Sequence, residues 1–471
     1  MPFSKHPRPE VLKSLADVKP IPFWLDDKVR PEPTSALTES ISADLCVIGA
    51  GFTGLWSALL AKEWNPSLDV ILLEATEAGN GASGRNGGFV DHCLTHTFEN
   101  GLERWPDELS KLIKMGFGNL DAIEATINRY QIDCDFQRTG ELVVATEPYQ
   151  VKELFHSPEA AAPFGLDLQW LDQEQTKKLI NSPTYLGGLY DPTPVMLNPA
   201  RLTWGLKRAC QENGVRLFER TQATGLGKEA NGIFVRTQYG QVKAKKVALA
   251  TNAFPPLLKR LRYYVVPVYD YALMTEPLTK AQRDSIGWEK RMGIGDAGNQ
   301  FHYYRTSADG RILFGGYDAV YHWNNGFGPQ LETDHQSFGR LADHFFQTFP
   351  QLEGLRFTHA WGGAIDTCSR FSAFWGQAFG GKLAYAVGYT GLGVGASRFG
   401  AQVMLDLLNG EDTERTRLRM TREKPIPFPP EPARSAIINL TRWSMDKADR
   451  NEGKRNLWLK LLDATGLGFN S

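Results

Sequence analysis

Three features of the sequence predict an α/β fold built from two interleaved parts. Within residues 44–74, an apolar run, a G-x-G-x-x-G turn, a helical stretch and a second apolar run ending in an acid follow one another in order. A second glycine turn, again at a strand-to-helix junction, stands at residues 391–395. Strand-like segments between 265 and 316 separate the two. Together they point to a Rossmann-like nucleotide-binding domain interleaved with a domain on a mainly antiparallel sheet. A length of 471 residues suits two or three domains.

The first unit is specific. Asp44-Leu45-Cys46-Val47-Ile48 reads as a buried parallel strand. Gly49-Ala50-Gly51-Phe52-Thr53-Gly54 supplies the turn, Leu55 to Ala61 a helix, and Val70-Ile71-Leu72-Leu73 the next strand, closed by Glu74-Ala75. The glycines allow a tight turn and let backbone approach a pyrophosphate at the helix N-terminus. Glu74 follows Gly54 by about 20 residues, the spacing of an acid that binds a ribose diol.

After Glu74 comes Gly79-Asn80-Gly81-Ala82-Ser83-Gly84-Arg85-Asn86-Gly87-Gly88. Here the chain resembles the FAD-dependent oxidases of the D-amino acid oxidase, glycine oxidase and sarcosine oxidase superfamily, and most of all its gamma-glutamylputrescine oxidoreductase branch. The resemblance covers most of residues 40–410. It implies one FAD, held without a covalent bond, with Ser83, Gly84, Arg85, Asn86, Gly87 and Gly88 passing along the flavin.

The remaining elements follow in order. Residues 1–40, rich in proline and charge, read as an arm packed on the body, and residues 41–100 as the first part of the FAD domain. From 91 to about 139 the pattern is helical, with a strand at 140–145 and more helix to about 179, so 101–190 is assigned to the substrate domain. Asn198 and Pro199 are a helix cap and first position, and Asn213-Gly214 a stop. Strands at 215–218, 222–226, 232–235 and 246–253 return the chain to the FAD domain over 191–260. The resemblance places Ala223, Thr251 and Asn252 beside the cofactor.

Residues 261–350 form the second part of the substrate domain, where Asp309-Gly310 between two strand patterns predicts a hairpin. The resemblance makes this sheet a roof over the flavin. A helix over 332–348 and a strand over 383–389 lead to the turn Gly391-Leu392-Gly393-Val394-Gly395 and a helix ending at Asn409-Gly410, so 351–412 is assigned to the FAD domain again. In the family this turn faces the pyrimidine edge of the ring, where a helix N-terminus stabilises negative charge. The tail, 413–471, carries apolar residues among basic ones and predicts helices folded on the body, with membrane contact the less favoured role.

Composition excludes several classes. Net charge is −1, so no broad basic field favours nucleic acid. Five scattered cysteines show no metal-ligand spacing, so no metal site is expected. No run approaches the ~18 apolar residues of a membrane span. These observations predict a cytoplasmic location.

For chemistry, the resemblance implies oxidation of a C–N bond by hydride transfer to flavin N5, giving an imine that hydrolyses. The partners expected are a small amine and O2 or another electron acceptor. Candidate substrate-pocket residues are His302, Tyr304, Arg305 and Trp361. Alternation puts His302 and Tyr304 on one strand face and Tyr303 and Arg305 on the other, without saying which meets substrate. Glycine and D-amino acid oxidases carry a carboxylate-binding Arg in a Trp-x-Gly-x-Arg segment. Here Trp361-Gly362-Gly363-Ala364-Ile365 has Ile365 at that place, which favours an amine without an α-carboxylate, unless Arg85, Arg305 or Arg370 substitutes. Cys368 and Cys93 are the cysteines a covalent flavin link would use. An amino-acid or aminophosphonate oxidase or dehydrogenase, and a non-enzymatic flavoprotein subunit, are the alternatives.

Overall fold

The computed structural model describes residues 3–468. Two large sheets organise the chain. In the first, Ser40–Ile48 lies at the centre, parallel to Val70–Leu73 on one side and Gln241–Leu249 on the other. Arg216–Phe218 and Leu383–Val387 extend it in parallel, and Phe374–Ala378 closes one edge antiparallel. The inner strands are apolar on both faces because both are covered: Val47 and Leu72 lie in one core, Ile48 and Ile71 in another. The helix Phe52–Trp64 is buried nearly all round, packed between this sheet and the helices Pro199–Glu212 and Gly393–Asn409.

The second sheet has nine strands and is mostly antiparallel. Val266–Thr275 pairs with Phe357–Thr367 and with Ile312–Gly316, which pairs in turn with His302–Thr306. Gly293–Asp296, Glu141–Ala145, Gly187–Asp191 and Gln169–Asp172 continue it. The helix His335–Thr348, capped by Asp334, covers the outer face, where Phe338 and Phe345 meet Tyr271 and Phe314. The inner face looks into a cavity.

Several expectations are modified. The segment before residue 98 is not helical; the helices are Phe98–Arg104 and Leu109–Arg129. Gln169–Asp172 interrupts the helical stretch before 179. The last buried strand of residues 191–260 ends at Leu249, and Asn252 turns the chain with φ +48°. Phe357–Thr367, inside the span 351–412 assigned to the nucleotide part, pairs along its length with Val266–Thr275 in the antiparallel sheet. The arm does pack: Lys19 N–H donates to Thr358, and Trp24 is buried. The tail forms the helices Ala433–Asp449 and Leu457–Ala464, the first pinned where the Asp449 carboxylate accepts the amides of Asn299 and Gln300. Among the described residues no helix is long and apolar enough to cross a membrane.

Candidate functional site

A cavity of about 1470 Å³ lies between the two sheets and reaches the tail helices. Its floor is made by backbone. Gly49 has φ +102°, and a Cβ there would lie 2.5 Å from the Ala250 carbonyl oxygen. A Cβ at Gly54 would lie 1.8 Å from the Gly49 oxygen, so the helix can sit on its own turn only as glycine. Gly49, Gly51, Phe52 and Thr53 line the cavity. Ala50 and Gly54 do not; they hold the turn together. Ala50 N–H donates to Glu74 Oε2 at 2.8 Å and Phe52 N–H to Ser83 Oγ at 2.9 Å.

Glu74 and Ala75 line the cavity beside them. Glu74 Oε1 accepts from Thr76 N–H at 2.9 Å. Burial raises the Glu74 carboxyl above its usual range, against the amides of Thr76 and Ala50.

Ser83, Arg85, Asn86 and Gly87 line the cavity, whereas Gly84 and Gly88 are packing positions. A Cβ at Gly84 would meet the Gly79 oxygen at 2.3 Å, and one at Gly88 the Leu197 oxygen at 2.1 Å. Asn86 locks the loop: its amide donates to Ala82 and Ser83 carbonyls while its oxygen accepts from Gly88 N–H. Ala223, Thr251 and Asn252 also line the cavity, as do Gly391, Leu392, Gly393 and Val394. Those four form the start of the helix Gly393–Asn409, which no side chain caps. Its leading amides are thus free of an intrahelical or side-chain cap partner. The turn before it is fixed by Asp366, whose carboxylate accepts Gly388 and Tyr389 N–H and is pushed up to about 6 by burial.

The roof is made by side chains. Val266, Val268, Asp270 and Ala272 from one strand and Trp361, Gly363, Ile365 and Thr367 from its partner face the cavity, with Tyr303 beyond. Three of the four substrate-pocket candidates are elsewhere. His302 is fully buried, Nδ1 2.6 Å from Asp296 and Nε2 2.8 Å from His344. Tyr304 shares a 2.7 Å hydrogen bond with Tyr185. Arg305 is buried, donates to the Leu197 and Gly88 carbonyls, and lies over Trp24. None of them lines the cavity; Trp361 does, its Nε1 donating to the Arg85 carbonyl.

None of the three arginines named from the sequence, Arg85, Arg305 and Arg370, stands free beside Ile365. Arg370 is buried among carbonyls of Ser372, Ala373 and Glu423 and does not line the cavity. Arg85 does, but it is spent on Asn80 and Gly362 carbonyls and an ion pair with Glu332 at 2.9 Å. Cys368 is buried against the Ser372 and Gly388 carbonyls, off the cavity. Cys93 lines it, with its thiol pushed up to about 12 by burial.

Of the acids, sequence reasoning found only Glu74. Among the described residues, ten carboxylate residues line the cavity, against the arginines Arg85, Arg442 and Arg455 and no lysine: Glu74, Asp91, Glu99, Glu141, Glu153, Asp191, Asp270, Asp296, Asp318 and Asp366. Burial pushes Glu141 up to about 8 and Asp270 to about 7. An acid inside an apolar strand, as at Asp270, was the available signal. Among the described residues no group of three or more His, Cys, Asp or Glu could hold a metal ion.

A helix N-terminus over a glycine turn, a carboxylate one strand away and a second uncapped helix suit the pyrophosphate, ribose and flavin of FAD. The comparisons agree. The family described as DAO, FAD dependent oxidoreductase, matches residues 44–407. Gamma-glutamylputrescine oxidoreductase of Escherichia coli (strain K12) is 33% identical over 392 residues, 81% of this chain and 87% of that protein. Sarcosine oxidase subunit beta of Rhodobacter capsulatus is 22% identical over 355 residues, 73% of this chain and 78% of that protein. Glycine oxidase from Geobacillus kaustophilus shares the fold, with a TM-score of 0.68 at 18% identity over 81% of this chain and 99% of that one. The chain belongs to the DAO family of FAD-dependent oxidoreductases, enzymes that act on amines or amino acids.

Proposed function

We propose that this enzyme oxidises the C–N bond of a primary or secondary amine that lacks an α-carboxylate, with O2 as acceptor and FAD held without a covalent bond. One observation carries the reading: an acid-rich cavity with Ile365 on its roof and no free cation of Arg85, Arg305 or Arg370 to receive a carboxylate. Carboxylates in their charged form attract an ammonium ion, and Ile365 cannot compensate a carboxylate taken out of water. The 33%-identical relative is named for γ-glutamylputrescine, whose putrescine end is an amine with no carboxylate on its α-carbon, which supports the same class.

In this reading the turn 49–54 and the N-terminus of Phe52–Trp64 hold the pyrophosphate, and Glu74 accepts hydrogen bonds from the ribose. Ser83, Arg85, Asn86, Gly87 and residues 391–394 border the flavin, with Trp361, Tyr303 and Ile365 across the substrate space. When bound, FAD supplies the hydride acceptor that turns the C–N bond into an imine, which water then hydrolyses. The chain's contribution is to orient the amine and keep its nitrogen unprotonated.

Three measurements test this. Acid denaturation should release a yellow chromophore that chromatographs as FAD; chromophore remaining on the precipitated chain would refute the noncovalent link. Anaerobic flavin reduction screened over amines, amino acids and aminophosphonates should give its fastest rates with amines. Re-oxidation of the reduced enzyme by O2 then separates an oxidase from a dehydrogenase.

A further inference from the structure

The cavity face of Val266–Thr275 is apolar except at Asp270. Asp270 Oδ1 accepts from Tyr271 N–H at 2.7 Å, and Oδ2 accepts from the Tyr303 hydroxyl at 2.8 Å. Tyr303 stands two strands away. The strand between them carries Gly315, which is paired with both Ala272 and Tyr303. A Cβ at Gly315 would lie 2.7 Å from the Tyr303 hydroxyl oxygen, so the phenol reaches Asp270 only across a glycine notch.

The other end of this pair touches the glycine loop. A Cβ at Gly87 would lie 3.0 Å from Tyr303 Cδ2. Gly363, directly opposite Asp270 in the sheet, would place a Cβ 3.0 Å from Arg85 Cδ. Trp361, two residues along the same strand, is tied to that loop through the Arg85 carbonyl. A carboxyl and two aromatic rings therefore border one part of the cavity, next to residues 85–87.

We propose that the cationic nitrogen of the substrate docks here and that Asp270 takes its proton before the C–N bond is oxidised. This rests on the amine reading above. The N–H bond of the ammonium breaks, an O–H bond forms on Asp270, and the electron pair stays on nitrogen. That pair is what the following oxidation of the carbon by FAD requires. Carboxylate and aromatic faces both attract an ammonium ion. Tyr303 is a positioning residue: its hydroxyl fixes the carboxylate oxygen and favours the charged form.

The surrounding groups set the titration. Burial raises the Asp270 carboxyl to about 7; the Tyr303 hydroxyl and the Tyr271 amide oppose, and the Asp318 charge adds to the rise. Arg85, from the loop opposite, is engaged with Glu332 and carbonyls. Tyr271 turns its hydroxyl away to the Leu331 carbonyl. An acceptor near neutrality matches proton transfer from a bound amine.

The test is anaerobic flavin reduction of the FAD-loaded wild type, Asp270→Asn and Tyr303→Phe across pH, with an alkylamine and a less basic fluorinated analogue. In the wild type, the reduction rate divided by the dissociation constant should rise through about pH 7 with both amines. Asp270→Asn should lose that limb and reduce roughly hundredfold more slowly at neutral pH. Tyr303→Phe should keep the limb but move it upward, because a hydrogen bond to the charged form is gone. The flavin spectrum of each variant reports an intact site, and Tyr303→Phe reads the proposal should Asp270→Asn lose FAD. A limb that follows the basicity of the amine, or that persists in Asp270→Asn, overturns the proposal. Absence of reduction by any amine overturns the amine reading itself and this assignment with it.

Discussion

On the floor of the cavity, contact is made by backbone: Gly49, Gly51, Gly391 and Gly393 leave room for a ligand, and Gly54, Gly84 and Gly88 let chain cross chain. On the roof it is made by side chains standing on one face of a sheet: Asp270, Tyr303, Trp361 and Ile365. The two are built under different constraints. A positive φ or a close carbonyl admits glycine and little else, so the floor is rigidly tied to residue type. A strand face accepts almost any side chain of suitable size, so the roof can change its substrate while the floor keeps its cofactor.

The largest effect that would test this contrast is on the floor. Gly54→Ala puts a methyl group 1.8 Å from the Gly49 oxygen, and should cost about 3 kcal/mol of stability or more and leave the purified protein without FAD. Denaturant unfolding and the flavin absorbance measure both. Next is Glu74→Ala, which removes the ribose acceptor proposed above and also strands the Ala50 N–H. It should weaken FAD binding by about 1.5–3 kcal/mol, roughly ten- to hundredfold, with little change in reduction rate at saturating FAD. Titration of apoprotein with FAD checks it, and unchanged affinity in a folded variant would remove Glu74 from the site.

A pH-dependent effect belongs to Glu141. Burial raises its carboxyl from 4.5 to about 8. Between those values the folded state binds the proton and the unfolded state does not, so this group's contribution to stability falls as pH rises through that window. Glu141→Gln cannot ionise. Its stability relative to wild type should therefore grow from about pH 5 to about pH 8, at up to about 1.4 kcal/mol per pH unit; a difference constant with pH would contradict the burial. Smallest is Gly363→Ala on the roof, whose Cβ meets no backbone, only Arg85 Cδ at 3.0 Å and Cγ at 3.5 Å. It should cost under about 1 kcal/mol. If it proved as damaging as Gly54→Ala, the distinction between floor and roof would fail.

What was legible in the sequence follows the same division. The turn 49–54, the strand Val70–Leu73 and the helix from Pro199 are found as expected because glycine, apolar run and cap act locally. Gly187–Asp191 and Gly293–Asp296 escaped notice because glycine dilutes their strand pattern. Phe357–Thr367 escaped as a roof strand because its partner, Val266–Thr275, lies some ninety residues earlier. His302 and Tyr304 attracted attention as polar side chains, yet their partners, His344 and Tyr185, are 42 and 119 residues distant. Which face of that strand met the cavity was set by pairing across the sheet, which no local pattern carries.

In the proposed reading the roof receives an amine and rejects an α-carboxylate. Its most direct test is a matched pair: the anaerobic reduction of the enzyme's flavin by ethylamine and by alanine, the same amine bearing the carboxylate, extended to putrescine derivatives against glycine and sarcosine. The account predicts faster reduction and tighter binding for each amine than for its carboxylate-bearing counterpart. A clear preference for an α-amino acid would contradict it, and would mean that a cation other than one at position 365 grips the carboxylate.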